Sequence, residues 1–252
     1  MKLYAGPLSR LVVTLATLTS HVAANADKII FTGPEPVTYP LASPSLSDLN
    51  LDVIGPATNL SLRTSLSRTF HDDTDPVAQG KPPGSASWFI LDGLTPGQRY
   101  ELRVCWAAIE PTEFTMDVHE LDAVWTIPDL MLSLYNYSSS RQAEAENQTP
   151  QVHHRSVSSK DAKERTASLL LLRVHAAADY FSHHPELMRN PPPVLVDLIL
   201  DPYLFNIFPE SLLLTAGYIV LVAVATLFLA KWIANRMTAI AATEERVSKK
   251  KD

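Results

Sequence analysis

Ser87-Trp88-Phe89-Ile90-Leu91, followed by Leu94-Thr95-Pro96-Gly97-Gln98-Arg99-Tyr100-Glu101-Leu102-Arg103-Val104, decides the fold class of this 252-residue chain. Pro96-Gly97 makes a turn, and beyond it Tyr100, Leu102 and Val104 alternate with the charged Glu101 and Arg103. Side chains on a strand point to opposite faces in turn, so this alternation describes a strand with one face buried and the other in water. The same alternation recurs in Phe114, Met116 and Val118, and further strands are expected at Lys28 to Phe31, Ser168 to His175 and Val194 to Leu200. Short strands separated by turn signals pack as an antiparallel sandwich, with Trp88 and Trp106 expected in its core. The apolar run from Leu169 to Ala178 fits a buried strand or the start of a helix, and periodicity does not separate the two.

The Tyr100 region resembles the tyrosine corner of fibronectin type III and immunoglobulin-like sandwiches, so the expected class is an all-β domain of that kind followed by one transmembrane α-helix. Composition agrees: 19 prolines against eight glycines mark many irregular connections and no long helical bundle. Two stretches lack apolar periodicity and read as long loops, residues 58–86 and residues 138–167. Cys105 is the only cysteine, so no intramolecular disulfide forms and the fold rests on its core.

Two segments point to a membrane. Lys2 and Arg10, the apolar run from Leu11 to Leu18 and the small-x-small Ala24-Asn25-Ala26 read as a cleavable secretory signal over residues 1–26. Leu212 to Ala230 holds no charge, and its 19 residues extend about 28 Å as a helix, close to the hydrocarbon thickness of a bilayer. The expected organisation is therefore a lumenal domain over 27–210, a span over 211–233 and a basic cytosolic tail over 234–252. Lys231, Arg236, Arg246, Lys249, Lys250 and Lys251 after the span set this orientation by the positive-inside tendency. Taking +2 for residues 1–26 and +3 for residues 231–252 from the total of −6 leaves −11 for the part between. So acidic a domain offers no basic patch for a phosphate backbone, and nucleic acid is excluded as a partner.

Lys249 and Lys250 sit in a terminal K-K-x-x arrangement that looks like a retrieval signal for the endoplasmic reticulum. Three N-glycosylation sequons begin at Asn59, Asn136 and Asn147, all between signal and span. Candidate chemistry is thin. Asp73-Thr74-Asp75 has a metal-binding D-x-D spacing but no Gly-rich phosphate cradle beside it, so a solvated turn is expected. His153-His154 and His183-His184 lack further ligands at metal spacing and read as surface residues. No nucleophile motif surrounds Cys105, and neither catalysis nor a metal or cofactor is expected.

Within the span, Ala216, Ala223 and Ala230 recur every seven residues with Thr226 near the same face. Such a stripe lets a second helix approach closely. The aromatic segment Asp201 to Pro209 is expected to lie along the lumenal interface, between domain and span.

The signal, Arg103-Val104-Cys105-Trp106-Ala107-Ala108 with Pro111 shortly after, and the Asp201 to Pro209 approach to a single span together resemble the fungal co-activator subunit of GPI mannosyltransferase II. That resemblance implies a non-catalytic glycoprotein of the endoplasmic-reticulum membrane, partnering the polytopic mannosyltransferase that adds the second mannose to the GPI precursor. The dilysine end and the long loops lie outside the resemblance. A lumenal chaperone or insertase-complex subunit is the alternative reading of the same architecture.

Overall fold

The computed structural model describes residues 25–40, 45–71, 82–147 and 164–248. The body of the expected signal, Asp73-Thr74-Asp75, His153-His154 and Lys249-Lys250 lie outside them.

Two sheets face each other. The first is ordered β1 (Ala26–Thr32), β6 (Arg99–Trp106), β10 (Val194–Leu204) and β4 (Ser61–Leu66), antiparallel throughout, with the two-residue β11 (Phe208–Pro209) hairpinned onto the end of β10. The second is ordered β3 (Asp52–Ile54), β5 (Ser85–Asp92), β9 (Leu169–Ala178) and β7 (Thr112–His119). Only β3 to β5 is parallel in it. A short antiparallel pair joins β2 (Val37–Pro40) to β8 (Glu164–Ala167).

The alternation read from the sequence is the packing rule of the core. Tyr100, Leu102 and Val104 point between the sheets against Leu172, Val174 and Leu198, each buried, while Arg103 stays half-exposed on the outer face. The turn before β6 needs the backbone freedom of Gly97, which takes φ +72°. The Tyr100 hydroxyl accepts the Thr95 N–H at 2.9 Å and donates to Gln98 Oε1 at 3.0 Å, closing the expected tyrosine corner.

Two expectations need correction, and one open reading is settled. Residues 58–86 are not one loop, because Ser61–Leu66 forms β4 and pairs with Val194 to Ile199 of β10. Its polar residues hid it: Ser61, Arg63 and Ser65 face water, and only Leu66 is fully buried. Residues 138–167 are likewise not all loop. A short helix α1 (Leu121–Thr126) leads into α2 (Pro128–Asn147), and β8 closes the stretch. The serines at 133 and 138–140 dilute the apolar period of α2, which is why no helix was expected there. Of the two readings the sequence leaves open for Leu169 to Ala178, the strand holds. It is apolar apart from Arg173 and His175 because both its faces are covered, one by the first sheet and the other by α1 and α2.

Those helices create a second core. Trp88 is fully buried, but it packs with Val124, Leu130, Leu134 and Leu171 beneath the helices, outside the core between the sheets. Its indole N–H donates to Ser133 Oγ at 3.1 Å. Trp106 is half-buried against Phe114, ring centroids 4.7 Å apart.

Strand directions gather one end of the sandwich from separate parts of the chain. The 95–98 turn, Ser168, His119 and the tip of the β10–β11 hairpin all lie there, linked by Leu94 N–H to Ser168 O at 3.0 Å and Gln98 Nε2 to Tyr203 O at 3.2 Å. A short helix α3 (Pro185–Arg189) precedes β10, and the final helix, α4 (Leu213–Ser248), begins at this same end.

Candidate functional site

The junction between sandwich and α4 holds a connected set of ion pairs and hydrogen bonds. β10 ends in Asp201-Pro202-Tyr203-Leu204, and a 3-10 turn at Glu210–Leu212 leads into the helix. Asp201 and Glu101 sit directly opposite each other on β10 and β6. Two carboxylates so placed repel, and their neighbours offset this. Lys28 reaches Glu101 at 3.0 Å, and Arg103 lies 3.1 Å from Asp201 and 3.6 Å from Glu101. The buried Tyr203 hydroxyl donates to Glu101 at 3.2 Å.

Asp201 then fastens the helix. It accepts the backbone N–H of Ser211 at 3.2 Å and also the Ser211 hydroxyl. An N–H at the start of a helical segment has no partner within the helix, so a carboxylate there satisfies it and favours the helix dipole. Sheet and helix are thereby tied by side chains as well as by the covalent chain.

The hairpin tip completes the junction. Phe205 and Asn206 both take left-handed backbone angles, φ +52° and +59°. A bulky residue in that region costs about 1–2 kcal/mol. Asn206 holds the turn against the tyrosine-corner loop: its Oδ1 accepts Arg99 N–H at 2.9 Å and its Nδ2 donates to Gly97 O at 2.9 Å. Arg99 lies over the Tyr203 ring, 5.2 Å from its centroid. The segment Asp201 to Pro209 is divided between strand and turn. Its first part is strand with Tyr203 buried, and the tip exposes the large apolar side chains Phe205 (89% exposed) and Ile207 (74% exposed).

Residues Glu210 to Thr238 form one helical stretch of 29 residues, long and apolar enough to cross a membrane and unburied by the rest of the chain. At 1.5 Å per residue it reaches about 43 Å, more than the hydrocarbon layer requires. The helix continues to Ser248, so the expected tail begins as helix. Ala216, Ala223 and Ala230 share one exposed face, seven residues apart being a rotation of only about 20°. Thr226 donates its hydroxyl to Val222 O at 2.7 Å, leaving its oxygen as an acceptor.

The remaining sequence-predicted sites scatter. Asn59 is exposed in the turn before β4, its side-chain oxygen accepting Ser61 N–H at 3.2 Å. Asn136 is exposed on α2 and lines a polar groove of about 480 Å³ with Ser65, Ser67, Ser133 and Arg141. The Ser138 of its sequon is buried and donates to Leu49 O at 2.9 Å. Asn147 is the last residue of α2. His183 and His184 are exposed, with His183 edge-on to Phe181. Cys105 is half-buried on β6. Two features had no signal in the sequence. One is an exposed apolar set on the helical pair: Trp125, Ile127, Met131, Leu132 and Tyr135. The other is His175, buried on the helix-covered side of β9 beside Arg173, with neither ring nitrogen hydrogen-bonded among the described residues. Burial, and then the Arg173 charge, push the His175 pKa down, and the same two causes lower His119.

Fold and junction together define a β-sandwich domain fastened to one helix of membrane-spanning length. The chain is 24% identical over 154 residues to GPI mannosyltransferase 2 subunit C167.09 of Schizosaccharomyces pombe. The matched stretch covers 61% of this chain and 59% of that relative's length. No family model matches the chain, and no solved structure does.

Proposed function

We propose that this chain is a non-catalytic accessory subunit of the endoplasmic-reticulum mannosyltransferase that adds the second mannose to the GPI precursor. The likeness to a relative named as a subunit of GPI mannosyltransferase 2 carries the reading. The single apolar helix supports it, since a lone span with small residues on one face suits packing against a polytopic enzyme. In this reading the chain is a type I membrane glycoprotein, with its sandwich lumenal and its C-terminal end cytosolic. Ala216, Ala223, Thr226 and Ala230 contact a helix of the transferase. The sandwich, held to α4 by Asp201 and Ser211, steadies the lumenal loops where the lipid-linked donor reacts, using the apolar face of α1 and α2.

The test is purification of the tagged protein in mild detergent, together with analysis of lipid-linked intermediates in cells lacking it. Co-purification of a multi-span mannosyltransferase and accumulation of a singly mannosylated GPI lipid are expected. Normal GPI precursors, or broad membrane-protein misfolding without that lipid, would refute the proposal and favour a chaperone or insertase role.

A further inference from the structure

The hairpin tip at Phe205–Ile207 is an unusual place for a large apolar side chain. Phe205 is held in the left-handed region that favours glycine, yet it is 89% exposed and contributes nothing to either core. The turn is not loose, because Asn206 clamps it to Gly97 and Arg99 by side-chain and main-chain bonds. A rigid turn that presents Phe205 and Ile207 to the outside, at a conformational cost, is built for contact with something.

The covalent chain indicates what that is. Ile207 lies six residues before Leu213, where α4 begins, so the tip is at most about 20 Å from the first turn of the apolar helix. It also stands at the end of the sandwich where that helix begins. Arg99 lies beside the tip, its guanidinium 3.3 Å from Asn206 O, and Glu210 is the one exposed acid between tip and helix. An aromatic ring, an aliphatic side chain and a guanidinium next to a span are the groups that partition to the headgroup boundary of a bilayer.

We propose that the Phe205–Ile207 turn inserts into the lipid interface on the side of the membrane facing the sandwich, forming a second point of attachment that fixes the domain against the bilayer surface. The proposal rests on the reading that residues 210–238 span the bilayer. With Asp201 and Ser211 fastening the helix and the turn resting in lipid, the sandwich is held at two points and its tilt is restricted.

The single cysteine makes the test direct. In the full chain with Cys105→Ser, single cysteines at Phe205→Cys, Ile207→Cys, Leu221→Cys and Ile109→Cys carry a nitroxide in phosphatidylcholine vesicles, and collision with oxygen is compared with collision with a water-soluble nickel complex. Ile109 is 89% exposed beyond the far end of β6 and serves as the aqueous reference. Labels at 205 and 207 are expected to show an oxygen-to-nickel ratio several-fold above that at 109, approaching the ratio at 221. Nickel access at 205 and 207 equal to that at 109, with 221 still lipid-exposed, overturns this inference alone. Exclusion of both reagents from 205 and 207 overturns it too, since it means contact with protein. Free nickel access at 221 overturns it together with the spanning reading. Far-ultraviolet circular dichroism confirms folding of each variant, and the 205 and 207 labels are independent of one another.

Discussion

Glu101 and Asp201 face each other across neighbouring antiparallel strands, both about 4% exposed, and the second of them holds Ser211 at the start of the long apolar helix. Like charges so placed separate unless their surroundings hold them, and Lys28, Arg103 and Tyr203 do so here. The junction therefore depends on every member of the cluster. Asp201→Ala removes the nearer of the two carboxylates beside Arg103 and the acceptor of the Ser211 N–H, at about 2–3 kcal/mol for a charged hydrogen-bonding group. Thermal unfolding of the detergent-solubilised protein is expected to shift down accordingly, with Ser211→Ala shifting it by less. An unchanged midpoint for Asp201→Ala would show that the cluster does not bear on stability.

Relief of strain at Phe205 is separable from its contact role. Phe205→Gly removes a left-handed bulky residue costing about 1–2 kcal/mol, against an added unfolded-state entropy of about 0.5–1 kcal/mol. Since the ring is exposed, no burial is lost. The variant is expected to equal or exceed the parent in unfolding midpoint in detergent. A clear loss of stability would place the Phe205 ring in packing that its exposure denies.

Acid is expected to weaken the domain through His175 and His119. Both have folded-state pKa values pushed below 6.5, chiefly by burial. As pH falls through 6.5 the unfolded chain takes up protons that the folded chain refuses, so stability declines towards the lowered folded values. Around His175, Arg173 shares the same strand, Thr115 and Asp117 project from β7, and Ala86 and Trp88 from β5. Urea unfolding at pH 7.5 and pH 5.5 should show a smaller loss for His175→Gln than for the parent. Equal losses would assign the acid sensitivity elsewhere.

If the proposed transferase is the partner, Ala223→Leu is expected to weaken its co-purification severalfold more than Leu221→Ala does. Bulk at a close helix contact forces the backbones apart, whereas truncation at a lipid-facing position removes little. Equal recovery of partner with both variants would move the contact to another face of the helix.

The exposed apolar residues on α2 make a second contact test. Replacing Leu132 and Tyr135 by serine removes side chains 58% and 67% exposed, so the unfolding midpoint should change by less than about 1 kcal/mol equivalent. Partner recovery is expected to fall. If recovery is undiminished, the lumenal contact does not use this face.

Much of this architecture was legible in residue order. The alternation of Tyr100, Leu102 and Val104 gave their strand and its buried face, and the charge-free run before Ala230 gave the long apolar helix. The strand β4 was not legible, because an edge strand with Ser61, Arg63 and Ser65 facing water carries too little apolar contrast. Nor was α2, whose serines satisfy neighbouring loops and sheet edges: Ser133 accepts from Trp88, and Ser138 bonds Leu49.

By itself the amino-acid order determined local periodicities: which residues alternate, which run is apolar throughout, where Pro96-Gly97 reverses the chain. These are properties of a strand or helix alone, set by side-chain period and backbone freedom. Only the tertiary structure decided which strands became neighbours, and hence that Glu101 meets Asp201 from a hundred residues away, that Trp88 lies under α2 instead of between the sheets, and that Asn206 locks a strained Phe205 near the start of the long apolar helix. Such pairings depend on packing and loop closure over long separations, which no local pattern encodes.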